Sequence, residues 1–152
     1  VGMGKPGSGR DTKKRVTTIS WLPFEEMRPM YNDLNNFIQR ANKNHFGFGD
    51  IQITEPAQFT EYPEGGFYEW HMDTDVNMKH EPPVRKISMT LLLSHESQFE
   101  GGDLEISAPD KFVKLKQGHA IIFASFLPHR VKPIIRGVRQ SLVMWFGGTP
   151  FK

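Results

Sequence analysis

Two residues that could bind a metal ion, His71 and Asp73, stand two positions apart in an apolar and aromatic segment. A β-strand points alternate side chains to the same face, so both would enter one cavity. His129 lies 56 residues beyond Asp73 and could join the pair only from another strand. Two imidazoles and one carboxylate suit a ferrous ion and leave three adjacent coordination positions for a co-substrate and oxygen. Asp75 would share that face, but we expect the strand to end before it, which favours Asp73.

A carboxylate clamp is indicated by Arg139, ten residues after His129, with Ser141 two positions further. In a strand over this apolar stretch, the side chains of Arg139 and Ser141 share a face. A buried guanidinium matches a carboxylate with two parallel hydrogen bonds, and the hydroxyl can add a third. The ordinary alternative for a single arginine is a surface salt bridge. Beside a ferrous site, the pair predicts binding of a dicarboxylate.

The order of helical and strand patterns predicts the elements that would position these residues. Apolar side chains recur at helical spacing over residues 24–43, with Pro29 as a candidate first position of the regular helix. We predict strands at 50–54, 57–62, 67–73, 85–94, 103–106, 111–115, 119–124, 128–132 and 138–147. Such a series, without alternating helices, favours a sandwich or a double-sheet jelly roll. Residues 74–84 predict a loop or lid beside the metal.

Composition and charge narrow the class of protein. The 152 residues contain no cysteine and no apolar window of membrane-spanning length, which suits a single cytoplasmic domain. Residues 1–18 hold five basic side chains and one acidic side chain among four glycines, and we interpret them as a flexible tail before a domain over 19–152. The tail has a net charge of +4, whereas the whole chain has a net charge of +2, so the domain is slightly acidic. An acidic domain argues against nucleic acid as a partner. The oligomeric state is left open.

Several of these segments, in this order, make the chain similar to 2-oxoglutarate- and Fe(II)-dependent oxygenases, in particular to the branch of prolyl hydroxylases. The similarity covers about 58–146 and is carried by 62–73, 85–93, 99–106, 118–123 and 128–131, followed by Arg139 and Ser141. The resemblance implies a fold that is mainly β with a flanking helix, a distorted double-stranded β-helix of the cupin-like, jelly-roll kind.

The resemblance also implies what the site would bind. His71, Asp73 and His129 would hold Fe(II), and Arg139 with Ser141 would hold the far carboxylate of 2-oxoglutarate. O2 would be the second co-substrate, and ascorbate the reductant that keeps the iron ferrous.

One departure concerns the co-substrate. Many relatives have a tyrosine in the strand after the metal motif that contacts the co-substrate carboxylate, and here Leu91 and Leu92 occupy that stretch. Tyr62, Thr90 or Ser141 would supply the missing hydroxyl.

The acceptor is indicated by resemblance alone. Arg85 corresponds to an arginine that contacts the peptide backbone in prolyl hydroxylases, and Tyr68 and Trp145 to aromatics beside the target ring. Taken singly, those two aromatics could equally be core residues. The favoured function is hydroxylation of an unactivated C–H bond in a prolyl residue of a peptide or protein. The alternatives are a free amino acid, a small metabolite or nucleic acid as acceptor, or a non-catalytic cupin-like metal-binding module, which would have no use for Arg139.

Overall fold

A computed structural model of the protein describes residues 14–74, 82–107 and 112–151. One α-helix, α1 (Arg28–Ala41), continues into a π-helical segment (Asn42–Phe46), and a short 3-10 helix spans Glu96–Gln98. The strands in chain order are β1 (Arg15–Val16), β2 (Thr18–Leu22), β3 (Gln52–Ile53), β4 (Ala57–Tyr62), β5 (Phe67–His71), β6 (Val84–Leu92), β7 (Phe99–Gly101), β8 (Leu104–Ile106), β9 (Phe112–Val113), β10 (Ala120–Ala124), β11 (His129–Val131), β12 (Ile134–Gly137) and β13 (Arg139–Gly148).

Two antiparallel sheets face each other and enclose the site. The larger has the order β10-β6-β13-β4-β2, with β3 paired to the far end of β13. The smaller has the order β1-β5-β11-β8-β9, and β7 pairs with β12 separately. This is the two-sheet jelly roll that the strand series predicts. No helix among the described residues is long and apolar enough to cross a membrane.

Alternation along β13 divides the molecule into a packed side and a site side. Its apolar residues pack under α1 in a core that includes Tyr31, Ile38, Ile87, Met89, Leu142, Met144 and Phe146. The side chains of the other parity, Arg139, Ser141, Val143 and Trp145, line the cavity between the sheets. Tyr31 joins the helix to the sheet, since its hydroxyl donates to Leu22 O at 2.5 Å and accepts from Ala57 N at 2.7 Å. The helix therefore supports the sheet from outside and leaves the cavity free.

Each of the nine predicted strands is present, and the bounds predicted for 57–62 match β4. The boundary of the predicted tail is wrong at its end, because residues 15–16 and 18 belong to strands. Arg15 pairs with Tyr68 of β5, and Thr18 pairs with Glu61 of β4. β1 is too short to show an apolar pattern, and the edge of β5 supplies its hydrogen-bond partners. In β2, by contrast, polar and apolar side chains alternate, and the strand prediction missed that signal. Residues 1–13 lie outside the described residues.

The helix is shorter than predicted at its start, since it begins at Arg28 with Pro29 in its first turn. It ends through the π-helical segment at Gly47, whose φ of 70° lies in the left-handed region that glycine tolerates. β7 and β12 were not predicted, because their pairing is with each other and not with a strand of strong pattern. The predicted lid falls largely on 75–81, outside the described residues, as do Asp75 and His80.

Candidate active site

The smaller sheet brings the three predicted metal ligands together. His71 ends β5 and His129 begins β11, and the two residues are paired across the antiparallel ladder. His71 Nε2 lies 3.5 Å from Asp73 Oδ1, and His129 Nε2 lies 3.5 Å from Asp73 Oδ2. One ligand atom of each residue lies within 4.8 Å of the others. Metal–ligand bonds of about 2.0–2.2 Å fit that spacing, so the three side chains fit a single divalent ion.

Backbone carbonyls orient both imidazoles with Nε2 toward this point. Nδ1 of His71 lies 2.7 Å from Glu69 O, and Nδ1 of His129 lies 3.0 Å from Leu127 O. Since a carbonyl only accepts, each Nδ1 carries the proton, and each Nε2 presents a lone pair. Burial lowers the pKa of His129, although the charge of Asp73 opposes that shift. The buried imidazole is thus neutral at neutral pH, as metal binding requires.

Asp73 is held by two serines that the sequence did not single out. Ser88 Oγ on β6 donates to Asp73 Oδ2 at 2.7 Å and lies 2.9 Å from Ser125 Oγ. The backbone N–H of Asp73 donates to Ser125 O at 2.9 Å. Burial works against ionisation of Asp73, but its contacts with the two imidazoles and with the Ser88 hydroxyl lower its pKa overall. The carboxylate is therefore ionised and fixed in direction, which suits a metal ligand.

A cavity of about 340 Å³ contains this cluster and extends between the sheets. The side chains predicted for metal, co-substrate and acceptor all line it: His71, Asp73, His129, Arg139, Ser141, Tyr62, Thr90, Tyr68, Arg85 and Trp145. Volumes of about 300–1,000 Å³ are usual for small-molecule sites. His45, His95 and His119 are exposed and do not line it.

Arg139 is a buried cation in this cavity. It is 3% exposed, and its Nη1 donates to Ser141 Oγ at 3.3 Å. Among the described residues no carboxylate lies within 4.0 Å of its guanidinium, and burial lowers its pKa against the opposing influence of Tyr62 and Asp103. The Tyr62 ring centroid is 5.7 Å from Arg139 Cζ. A buried charge is costly unless it is paired, so the site is suited to an acid supplied by a ligand.

Close packing against Gly102 contributes to the position of Arg139. A Cβ at Gly102 would lie 3.0 Å from Arg139 Cδ and would overlap Ile134, and φ is +66° there. The glycine turn before β8 thus allows the backbone to approach the arginine stem.

Arg85 lies on the same sheet as Arg139, near the other end of β13 and over an aromatic ring. Its Cζ is 3.8 Å from the Trp145 ring centroid, and its Nε donates to Glu55 Oε2 at 3.0 Å, with a second contact to Glu55 Oε1. Thr54 Oγ1 donates to the same carboxylate at 2.8 Å. A register shift in the pairing of β6 with β13, between Phe146 and Gly147, precedes the pairing of Gly147 with Arg85. The bulge explains why Arg85 shares the cavity face with Thr90 although the two positions differ in parity.

The remaining wall contains polar residues that were missed. Gln58 and Thr60 of β4 line the cavity together with Tyr62. Alternation within the predicted strand 57–62 could have identified both. Arg15 also lines the cavity, with its Cζ 4.5 Å from the Tyr68 ring centroid. No sequence signal indicated Arg15, because it lies in the segment that we interpreted as a tail.

The sequence model of the 2OG-Fe(II) oxygenase superfamily matches residues 57–147, more than half of the chain. The chain belongs to this superfamily. The matched range includes the His-Asp-His cluster, Arg139 and both walls of the cavity except Arg15, Ile19 and Trp21. Membership implies Fe(II) as the metal cofactor and 2-oxoglutarate and O2 as the co-substrates of the family.

Relatives and solved structures place this oxygenase in the prolyl-hydroxylase-like branch. The chain is 37% identical over 127 residues to a PKHD-type hydroxylase of Stenotrophomonas maltophilia strain R551-3. The matched region covers 79% of this chain and 56% of the relative. The chain is similar to a Pseudomonas putida prolyl-4-hydroxylase, with a TM-score of 0.71 and 25% identity over 92% of this chain and 76% of that one. A Trichoplax adhaerens prolyl hydroxylase, solved with a peptide fragment of hypoxia inducible factor, has a TM-score of 0.70 at 21% identity over 88% of this chain and 64% of that one. The predicted double-stranded β-helix is confirmed, and the chain spans about half the length of the curated relatives it matches.

Proposed function

We propose that the protein is a 2-oxoglutarate- and Fe(II)-dependent hydroxylase that acts on a prolyl residue of a peptide or protein. The observation that carries the reaction class is Arg139, a buried guanidinium without a carboxylate partner among the described residues, in the cavity that also contains the His-Asp-His cluster. A metal site alone suits many reactions. A metal site beside a buried guanidinium that has no carboxylate partner among the described residues suits an acidic co-substrate.

The protein's part in the reaction is to bind, orient and exclude water. His71, Asp73 and His129 would hold Fe(II) on one face, and Arg139 with Ser141 would hold the far carboxylate of 2-oxoglutarate. When bound, the metal and co-substrate supply oxidative decarboxylation and an oxidant that hydroxylates a C–H bond. The imidazoles keep their proton on Nδ1, so no ligand has to lose a proton when the ion binds.

Tyr62 and Thr90 are proposed as further hydroxyl contacts to the co-substrate. Both are buried and line the cavity. Tyr62 lies near Arg139. Burial raises the pKa of its phenol above the usual value, although the charges of Arg15 and Arg139 oppose the rise. Its phenol therefore remains protonated at neutral pH and can donate to a carboxylate.

The prolyl class is supported by the aromatic wall and by the similarity to a prolyl-4-hydroxylase. A prolyl ring is compact and apolar, and the Tyr68 and Trp145 rings that line the cavity would provide apolar contacts for it. Trp21 extends the aromatic surface, with its ring centroid 6.5 Å from that of Trp145 and 40% of the residue exposed. Arg85, fixed by Glu55, would donate to carbonyl oxygens of an extended peptide, whose backbone groups are unpaired.

The experiment that tests the proposal is a turnover assay with Fe(II), ascorbate and 2-oxoglutarate against a panel of prolyl peptides. We expect succinate in proportion to a product that is heavier by one oxygen atom, on a proline. Turnover of a free amino acid or small metabolite, with no peptide product, would leave the oxygenase reaction and reject the prolyl class. Absence of 2-oxoglutarate consumption with every acceptor would favour the metal-binding module.

A further inference from the structure

Arg15 also lines the cavity, and it lies on the smaller sheet, whereas Arg85 and Arg139 lie on the larger one. It belongs to β1, at the edge of the smaller sheet, and pairs with Tyr68. Its guanidinium lies over the Tyr68 ring, 4.5 Å from the centroid. The Tyr68 ring centroid is in turn 3.5 Å from that of His71. The positive charge of Arg15 is therefore separated from a proposed metal ligand by one aromatic ring.

The donors of Arg15 are poorly satisfied within the protein. Nη2 donates to the neutral amide oxygen of Gln58 at 3.3 Å, and the same oxygen also accepts from Thr60 Oγ1 at 3.4 Å. Nε is buried without a hydrogen-bond partner. No carboxylate of the residues described lies within 4.0 Å of this guanidinium. A cation of this kind is stabilised when an anion binds beside it.

The three arginines that line the cavity among the described residues differ in whether they have a carboxylate partner. Arg85 has a carboxylate partner in Glu55. Arg139 and Arg15 have none among the described residues, and they line different parts of the cavity, beside Ser141 and beside Tyr68 respectively. In the proposed function the far carboxylate of 2-oxoglutarate pairs with Arg139. This leaves Arg15, which has no carboxylate partner among the described residues, for the acceptor.

We propose that Arg15 is a specificity-determining residue that binds a carboxylate of the acceptor, so that the preferred substrate is a peptide with an acidic residue close to the hydroxylated proline. The peptide class rests on the proposed function, whereas the charge preference rests on Arg15 alone. The ring contacts from Arg15 through Tyr68 to His71, of 4.5 Å and 3.5 Å, together span between two and three residues of an extended chain at roughly 3.1 Å each. The acidic residue is therefore expected within three positions of the target.

The test compares peptides that differ by one charge. Labelled prolyl peptides carry Glu one, two or three positions before or after the proline, and matched peptides carry Gln or Lys there. Binding is measured anaerobically by fluorescence anisotropy with Fe(II) and 2-oxoglutarate present, and hydroxylation is measured by mass spectrometry. We expect the protein to bind the best Glu peptide about tenfold more tightly than its Gln partner.

Variants separate recognition of charge from support of the fold. Arg15→Gln and Arg15→Ala should remove the Glu preference, and Arg15→Glu should reverse it in favour of the Lys peptide. Lys14→Ala is the matched control, because Lys14 is the exposed neighbour and does not line the cavity. A residue that only supports Tyr68 would affect Glu and Gln peptides equally, and its loss could not produce a preference for Lys.

Each outcome decides the proposal. Equal binding of Glu and Gln peptides by the parent protein overturns it, and so does a Glu preference that persists in Arg15→Gln. A raised KM for 2-oxoglutarate in Arg15→Gln during uncoupled turnover would assign Arg15 to the co-substrate and would also overturn it. If Glu peptides bind selectively through Arg15 but no proline is hydroxylated, the role of Arg15 is supported and the prolyl class fails.

Discussion

Ser88 Oγ donates a 2.7 Å hydrogen bond to Asp73 Oδ2, the carboxylate oxygen that lies 3.5 Å from His129 Nε2. The two residues are on different parts of the chain, and the hydroxyl of Ser88 is in turn 2.9 Å from Ser125 Oγ. Outer contacts of this kind orient a ligand toward its metal and strengthen binding. The larger sheet, through Ser88 on β6, thereby positions a ligand that follows a strand of the smaller sheet.

Removing this contact should weaken metal binding without changing the ligands. We expect Ser88→Ala to lower Fe(II) affinity by about 10–100-fold, because Asp73 loses the donor that fixes its carboxylate. Competition with a metal chelator measures the effect. Ser94→Ala is the control, since Ser94 is also buried but accepts from Gln140 N outside the cavity. Equal metal affinity in the two variants would contradict the positioning role of Ser88.

Loss of a ligand should have a larger effect on metal binding than loss of any other described histidine. We expect His71→Ala, Asp73→Ala and His129→Ala each to abolish iron occupancy and turnover together, because each removes one of only three proposed protein ligands. Metal content by mass spectrometry and 2-oxoglutarate consumption measure both. Alanine at the exposed histidines His45, His95 and His119 should leave iron occupancy unchanged. Iron retained in Asp73→Ala but lost in Asp75→Ala would reassign the carboxylate ligand.

Arg139 should act on the co-substrate and leave the metal in place. Truncating one partner of a buried charge pair costs about 2–5 kcal/mol, so Arg139→Ala should weaken 2-oxoglutarate binding about thirtyfold or more. Arg139→Lys should recover only part of the loss, because an ammonium lacks the planar fork. Titration of 2-oxoglutarate into the metal-loaded parent and variant proteins, followed by calorimetry, gives the affinities to be compared. Arg136→Ala, at an exposed arginine paired with Glu100, is the control. Unchanged 2-oxoglutarate affinity in Arg139→Ala would refute the clamp.

Substitution of the residues proposed to contact the acceptor should affect the coupling of hydroxylation more than the consumption of 2-oxoglutarate. Arg85→Ala, Tyr68→Phe and Trp145→Ala are expected to lower prolyl hydroxylation more than uncoupled 2-oxoglutarate decarboxylation. Glu55→Gln should also lower prolyl hydroxylation relative to decarboxylation, but by less, because Arg85 loses its ion pair and keeps its contact with the Trp145 ring. The ratio of hydroxylated peptide to succinate measures coupling. A constant ratio across these variants would remove the wall from the acceptor site.

Stability should depend on the contact between α1 and the larger sheet. Ile38 is fully buried there, and Ile38→Ala should lower the free energy of unfolding by about 2–5 kcal/mol. Phe37 on the same helix is 42% exposed, so Phe37→Ala should cost much less. Denaturant unfolding of the two variants provides the comparison. Similar losses would mean that the helix packs through a different face.

The sequence by itself determined the strand series and which residues of β13 face the site. Alternation along a strand is a local property, so the shared face of Arg139 and Ser141 could be inferred from spacing. The bounds of β4 were predicted in the same way. Asp73 does converge with His71, but it lies beyond the end of β5, where Ser125 and Ser88 hold it. The order of motifs made the family resemblance recognisable, which supplied the candidate roles of Tyr68, Arg85 and Trp145.

Tertiary structure alone decided which distant groups complete the site. Ser88 and Ser125 reach Asp73, and Glu55 reaches Arg85, only because strands far apart in sequence are paired. Arg15 enters the cavity because β5 offers an open edge to a two-residue strand with no signal of its own. A side chain's partners depend on sheet register and on bulges. These follow from the packing of the whole domain, and no local window of sequence contains them.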